Sequence, residues 1–347
     1  IYDTDDDNKP YGKGLDQFEY FSETTRGLRF TSTSSIQESL FNPYRHFGRP
    51  DMWPRGFPLE LLKNHDHLDG SYRLCREQRP PVVQQGIVHK DPDVDAIYRL
   101  LHAERETGLN ESFNQFAPPV ILAPGTYAPW NSQNTLFSRA AFFGLFLPTT
   151  VAFRVTDIWR SYFTQALLHA AGETIAFVPV NAIQIRNAHN YLKDFNDESD
   201  VYSKSGEIVR FIDEWRCEGY TIDKCTIELA NHFASRGFWR SEDAKLVSLW
   251  VKDLKKIGFK FPPLRLGSRN DNPVGEDNDP RRNCRRAHTT FENDFKEQAA
   301  SNIDNFAEIK NWCDVSHSYA SSRWFFPAPE RLESYFHRST AMKNNRQ

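Results

Sequence analysis

Pro81-Val82-Val83-Gln84-Gln85-Gly86-Ile87-Val88, followed by Asp91-Pro92-Asp93-Val94-Asp95-Ala96-Ile97-Tyr98-Arg99-Leu100, is the stretch on which the fold turns. Its first part is a short apolar run rich in β-branched residues, which predicts a buried strand. Its second part sets acidic residues around a proline and then continues at helical spacing, which predicts a helix beginning just beyond them. A strand that feeds a helix is the repeating unit of an α/β sheet.

Working outward, Val120-Ile121-Leu122-Ala123 predicts another strand, and a helix is expected from about Arg139 to Leu147. In Val155-Thr156-Asp157-Ile158-Trp159-Arg160-Ser161-Tyr162-Phe163-Thr164-Gln165-Ala166-Leu167-Leu168 the apolar positions 158, 159, 162, 163, 166 and 167 fall on one helical face. Gly172 ends that helix, and Thr174 to Pro179 predicts a further strand. This alternation makes residues 1–203 an α/β domain with a largely buried sheet. From Gly206 the pattern becomes three amphipathic helices, carried by Ile208/Phe211/Ile212/Trp215, Leu229/Ala230/Phe233 and Leu246/Leu249/Trp250/Leu254. They form a C-terminal helical subdomain over 204–265. Residues 266–347 read as a low-structure tail, rich in Asn, Asp, Gly and Arg up to Arg286, with one late helix through Phe291, Phe295, Ile303, Phe306 and Ile309. Upstream, residues 9–41 read as polar loop with one or two short strands.

Aromatic residues make up 14% of the 347, including Phe 27 and Trp 8, ample for a core of one large or two ordinary domains. The formal net charge of -3 leaves no polyanion-binding surface, which excludes nucleic acid as a partner. Cys75, Cys217, Cys225, Cys284 and Cys313 contain no C-x-x-C pair, so zinc and thioredoxin-type chemistry have no support, and their odd count argues against a fully paired disulfide framework. No apolar run reaches the roughly 18 residues that span a bilayer. Residue 1 reads as the end of a strand, so the chain is expected to be a fragment lacking its upstream part. Asn110-Glu111-Ser112 is a glycosylation sequon, usable in a luminal domain.

The candidate chemistry is carboxylate chemistry. Ile1-Tyr2-Asp3-Thr4-Asp5-Asp6-Asp7-Asn8 crowds acidic groups at a strand end, where mutual repulsion calls for a compensating cation or for solvent. Asp3 and Asp5 at i and i+2 share one side of an extended segment, and hard oxygen ligands suit Mg²⁺ or Mn²⁺. Trp53-Pro54-Arg55-Gly56-Phe57-Pro58 mounts a guanidinium on a stiff backbone, fit to meet a phosphate or carboxylate, or simply a surface loop plugging the core edge. Asp93 and Asp95 are helix caps or carboxylates facing sugar hydroxyls, and Asp157 is a cap or a carboxylate aimed into a cleft. Asn131, Ser132, Asn134 and Thr135 bunch hydrogen-bonding groups between apolar strands, suited to a polar ligand or to turn formation. His65 and His67 lack a third ligand at matching spacing and read as a solvated loop.

Seven ordered blocks resemble the C-terminal domain of the STELLO glycosyltransferases over roughly residues 1–265. They are Asp3-Thr4-Asp5-Asp6, Asn42-Pro43-Tyr44-Arg45-His46-Phe47-Gly48 with Trp53-Pro54-Arg55-Gly56-Phe57-Pro58-Leu59, Gln84-Gln85-Gly86-Ile87, Pro92-Asp93-Val94-Asp95, Asn131-Ser132-Gln133-Asn134-Thr135-Leu136, Thr156-Asp157-Ile158-Trp159-Arg160, and the helices holding Gly237-Phe238-Trp239 and Trp250-Val251-Lys252-Asp253-Leu254. A fainter similarity runs to the reversibly glycosylated polypeptides, which are UDP-arabinopyranose mutases. The resemblance implies a GT-A-like nucleotide-sugar fold, the N-terminal part of its sheet missing, and a glycosyltransferase moving a sugar from a nucleotide diphosphate, a UDP-sugar by preference, to a glycan or protein acceptor. It implies Mn²⁺ or Mg²⁺ at Asp3, Asp5 and Asp6, and catalytic carboxylates at Asp157, Asp93 and Asp95. Arg55, Asn131, Ser132, Asn134 and Arg160 would bind substrate, with Arg55 matching the arginine that the mutases self-glycosylate. The implied setting is the Golgi membrane, with this domain luminal and associated with a polysaccharide synthase; a catalytically weak scaffold for that synthase is the alternative. Ile183 stands where STELLO proteins carry a histidine, which removes a third metal ligand unless His189 replaces it.

Overall fold

The computed structural model describes residues 1–4, 8–10, 25–32, 40–62, 70–78, 80–104, 107–114, 117, 119–185, 190–265 and 285–287. Asp5, Asp6, His65, His67, His189 and the expected late helix lie outside the described residues. Among the described residues nine strands make one mixed sheet: β1 (Tyr2–Thr4), β2 (Asn8–Pro10), β3 (Thr25–Ser32), β4 (Gly70–Gln78), β5 (Val83–Lys90), β6 (Val120–Leu122), β7 (Asn134–Phe137), β8 (Ile175–Gln184) and β9 (Arg285–Ala287). Their order is β1-β7-β5-β8-β6-β3-β4-β9, with β2 paired to the far end of β8. The β5–β8 and β3–β6 pairs are parallel and the others antiparallel. The strand read at 81–88 is therefore β5, at the middle of a mixed α/β fold.

One expectation is corrected and two are made more specific. The strand that Pro179 was expected to end continues to Gln184, because the proline sits where the β5–β8 register shifts between Gly86/Val178 and Val88/Ala182. A bulge needs no ladder N–H, so proline is tolerated there. The helix expected after Ser138 is of the 3₁₀ type and runs over Arg139–Leu145. Gly144 lies so close to Thr164 that a Cβ would come within 2.2 Å of its methyl, and Thr164 Oγ1 and Trp250 Nε1 donate to the carbonyls of Gly144 and Phe143. Contacts with neighbouring elements thus replace the regular α-helical bonding. In the tail, Arg285–Ala287 adds β9 to β4.

Helix α1 (Pro43–His46) is a single turn capped by the Asn42 side chain, and α2 (Ala96–His102) follows β5 as the sequence predicts. Helix α3 (Thr156–Ala170) buries 14 of its 15 residues, because it is covered on both sides. Toward the sheet its Gln165 side chain bonds both the N–H and the carbonyl of Ala128. On its other side Trp159 donates to the Phe238 carbonyl, and Phe163 meets Phe233 and Trp239 at 5.4 and 5.1 Å between ring centres. Those partners belong to the helical layer of α4 (Tyr191–Asp197), α5 (Ser199–Glu214), α6 (Ile222–Ser235) and α7 (Ser241–Lys256). One helix, α5, runs through residue 203, and a single hydrophobic cluster joins sheet, α3 and helices. A disulfide, Cys217–Cys225, closes the loop between α5 and α6.

Candidate functional site

The site is built where three segments meet: the turn at Arg55, the loop after β5, and the start of α3. Phe57 N–H closes a turn on the Pro54 carbonyl, and Gly56 takes φ +92°, a conformation that costs a side-chain-bearing residue strain. That turn aims Arg55 inward. The Arg55 N–H and the Tyr44 hydroxyl both donate to the Asp93 carbonyl, fixing the loop after β5 against it.

Arg55 then spends every donor it has. Nε donates to Asp93 Oδ1 at 3.0 Å, Nη2 to Asp93 Oδ2 at 2.9 Å and to Asp157 Oδ2 at 2.8 Å, and Nη1 to Asp157 Oδ1 at 3.0 Å and to the Arg154 carbonyl. A guanidinium carries five N–H groups, and all five face protein acceptors. Burial works against the Arg55 charge, but Asp157 and then Asp93 outweigh it and hold its pKa well above the ordinary value. Burial likewise pushes Asp93 upward, yet Arg55 beside it, aided by Arg154 and Arg99, draws its carboxyl below the usual carboxylate range.

The two aspartates differ in what they have left. Asp157 Oδ1 accepts from Arg55 and from the Ile158 N–H, and Oδ2 from Arg55 and from the Ser132 N–H at 3.1 Å. All four lone-pair positions of that carboxylate are in use. Among the described residues Asp93 Oδ1 accepts from Arg55 Nε alone, so it retains acceptor capacity.

Ser132 carries the network onward. Its hydroxyl accepts from Arg160 Nη2 at 2.8 Å, and the same nitrogen donates to Asp3 Oδ2 at 2.8 Å. The Arg160 guanidinium lies over the Phe137 ring, 5.1 Å from its centre. Asp93, Arg55, Asp157, Ser132, Arg160 and Asp3 are thus joined without a break, although they come from five separate stretches of chain.

Asp95 lies apart from this run. It caps α2 by accepting from the Tyr98 N–H at 2.8 Å, and its other oxygen accepts from Trp53 Nε1 at 2.6 Å. Burial lifts its pKa to about 6 despite those two bonds, and Glu198 nearby adds to the rise. Asn131 and Asn134 are spent on the protein as well. The Asn131 side chain accepts from the Gln133 N–H, while Asn134 accepts from the Tyr2 hydroxyl and donates to Asn181. Gly86 makes room for that last pair, since a Cβ there would come within 2.4 Å of both amides. Sequence reasoning overlooked Trp53, Tyr44, Glu198 and Arg154 as members of the surroundings. Only the spacing of Asp95 before the α2 pattern pointed toward any of them.

Among the described residues no three His, Cys, Asp or Glu side chains gather as metal ligands, and Asp3 is turned toward Arg160. The described residues therefore do not make a metal site by themselves. No helix among them is long and apolar enough to cross a membrane.

The family model described as STELLO glycosyltransferases matches residues 154–347, more than half of the chain. The chain belongs to the STELLO glycosyltransferases. This STELLO match runs through the tail, so the resemblance read over residues 1–265 was drawn too short. The chain is 31% identical over 271 residues to a curated Arabidopsis thaliana protein named Probable glycosyltransferase STELLO1, covering 76% of this chain and 34% of that protein. It is also 31% identical over 233 residues to Probable glycosyltransferase STELLO2 of the same plant, covering 67% of this chain and 30% of the relative. It spans about a third of the length of these relatives.

Proposed function

We propose that this STELLO chain carries the catalytic part of a metal-assisted glycosyltransferase, which moves a sugar from a nucleotide diphosphate, a UDP-sugar in the first instance, to a glycan or protein acceptor. The observation that carries the reading is the unbroken run from Asp93 through Arg55, Asp157, Ser132 and Arg160 to Asp3, buried at one end and part-exposed at the other. It begins in the loop that leaves the carboxyl end of β5, which runs parallel to β8, and the carboxyl ends of parallel strands are where ligands bind in open α/β sheets. A GT-A-like sheet would place its donor there.

The division of labour follows from the hydrogen-bond capacities. Arg55 and Asp157 hold the site in shape, because neither has a position left for substrate in this arrangement. Asp93, with its spare acceptor, orients a sugar or acceptor hydroxyl; held below the usual range by Arg55, it stays charged and steadies positive charge developing at that hydroxyl and at the sugar ring. Ser132 and Arg160 face the diphosphate. Mn²⁺ or Mg²⁺ at Asp3, Asp5 and Asp6 is part of the proposal, and it would supply charge neutralisation of the leaving diphosphate. Asp95, Asn131 and Asn134 support the walls.

The Cys217–Cys225 disulfide supports a luminal setting such as the Golgi, because such bonds persist in oxidising compartments. A polysaccharide synthase complex is the partner we propose there. Isothermal titration with UDP and Mn²⁺ tests the donor reading: heat is expected from the wild-type chain and its loss from the Asp3→Ala/Asp5→Ala double variant. Absence of heat from the wild type, or heat unchanged in the variant, would overturn it.

A further inference from the structure

Arg160 is the least satisfied cation of the site. Its side chain is 3% exposed, yet Nε is buried with no partner among the described residues. Among the described residues Nη2 alone has acceptors, and it divides itself between Asp3 and Ser132. The Nε/Nη2 edge of a guanidinium is a fork made for two oxygens of one anion, and Arg55 uses that edge fully on Asp93. On Arg160 the same edge holds one oxygen of Asp3 and leaves the other prong empty. Stacking on Phe137 fixes the plane of the fork.

The group that half-fills the fork is also easily withdrawn. The Asp3 side chain is 30% exposed, and among the described residues β1 is a three-residue edge strand held in the ladder by β7 alone. Water can therefore take over the Asp3 carboxylate as it leaves, which lowers the cost of parting this half-exposed pair.

We propose that Arg160 is a diphosphate-binding group which the chain keeps partly blocked with its own Asp3, so that the ligand enters by displacing the end of β1. The inference rests on the donor reading above and adds a competition to it. Asp3 is not only a candidate ligand for a cation; its carboxylate occupies the anion site until something draws it away. Because the Ser132 hydroxyl accepts from Arg160 while its backbone N–H donates to Asp157, filling the fork also bears on the positioning of Asp157.

The test uses the full chain with divalent ions removed by chelation, and titrates inorganic pyrophosphate and UDP separately. Asp3→Asn is expected to tighten both by roughly three- to tenfold, since the competing carboxylate is gone. Adding Arg160→Gln to Asp3→Asn should abolish that gain, which separates release of the fork from a general loss of negative charge. Affinity unchanged or weakened by Asp3→Asn, or a gain that survives Arg160→Gln, would overturn the proposal. A measurement on the wild-type chain keeps the question open to refutation should a variant not fold: the ¹⁵Nε resonance of Arg160 should move on addition of pyrophosphate, and a stationary resonance at saturation rejects it. If the wild type binds UDP with Mn²⁺ while Asp3→Asn gains nothing without metal, this inference fails and the donor reading stands. If UDP with Mn²⁺ gives no heat but the pyrophosphate gain appears, the donor reading fails and the anion site stands.

Discussion

The two arginines of the site are joined through Asp157 and Ser132 and are opposite in economy. Arg55 is enclosed by two carboxylates and a carbonyl and has no donor to spare, whereas Arg160 shares one nitrogen between two acceptors and leaves another buried and idle. A saturated ion cluster fixes geometry, because breaking any one bond strands a buried charge. An unsaturated one is costly to keep and worth keeping only where a further partner arrives. The structure thus separates a part that holds from a part that receives.

Replacing the cations one at a time strains that distinction most. Arg55→Met leaves Asp93 and Asp157 facing each other in the interior, and urea unfolding should show a loss of about 3–5 kcal/mol. Arg160→Met frees Asp3 to turn to water, and the same measurement should show roughly 1 kcal/mol. Equal losses would erase the difference between holding and receiving.

A third buried acid sharpens the comparison, because Asp95 has no guanidinium bonded to it. Its pKa in the folded chain, about 6, lies above its ordinary 3.8, so the folded state binds that proton more tightly than the unfolded one. Its contribution to stability is then fully present below about pH 4 and is lost as pH rises to about 6, a swing of roughly 3 kcal/mol at ~1.4 kcal/mol per pKa unit. Asp95→Asn keeps an acceptor for Tyr98 and Trp53 and does not titrate. Unfolding free energies from pH 3.5 to 7 should therefore show the wild type losing ground to the variant over that interval and holding level above it. A gap that does not change with pH would mean that Asp95 shares the cationic support Asp93 enjoys.

How far the sequence announced this depends on the range of the interaction. Helix α3 was legible because its apolar spacing is local, and Asp157 stood at its start for anyone counting turns. Asp95 was legible as a cap for the same reason. The end of β8 was misread at Pro179, since a bulge depends on the partner strand and not on the residues beside the proline. Strand β4 carried no alternation that drew notice, and it exists because β3 pairs along nearly its whole length. Which aspartate is saturated was invisible altogether. The Ser132 N–H and the Arg55 fork reach Asp157 from 25 and 102 positions away, and no spacing rule encodes such meetings. The cysteine count argued against a fully paired framework without marking Cys217 and Cys225 as partners; they face each other across a helix–helix turn that only packing defines.

That crosslink also records history. It joins residues eight apart in a loop whose Gly219 N–H and Glu218 N–H are already gathered by Glu228, so the thiols meet as soon as α5 and α6 do. A chain that folded among oxidants is lighter by the pair of thiol hydrogens than one that never left a reducing cytosol. A non-reduced peptide map of the 217–225 loop would thus tell the crosslinked chain from the reduced one in any given preparation.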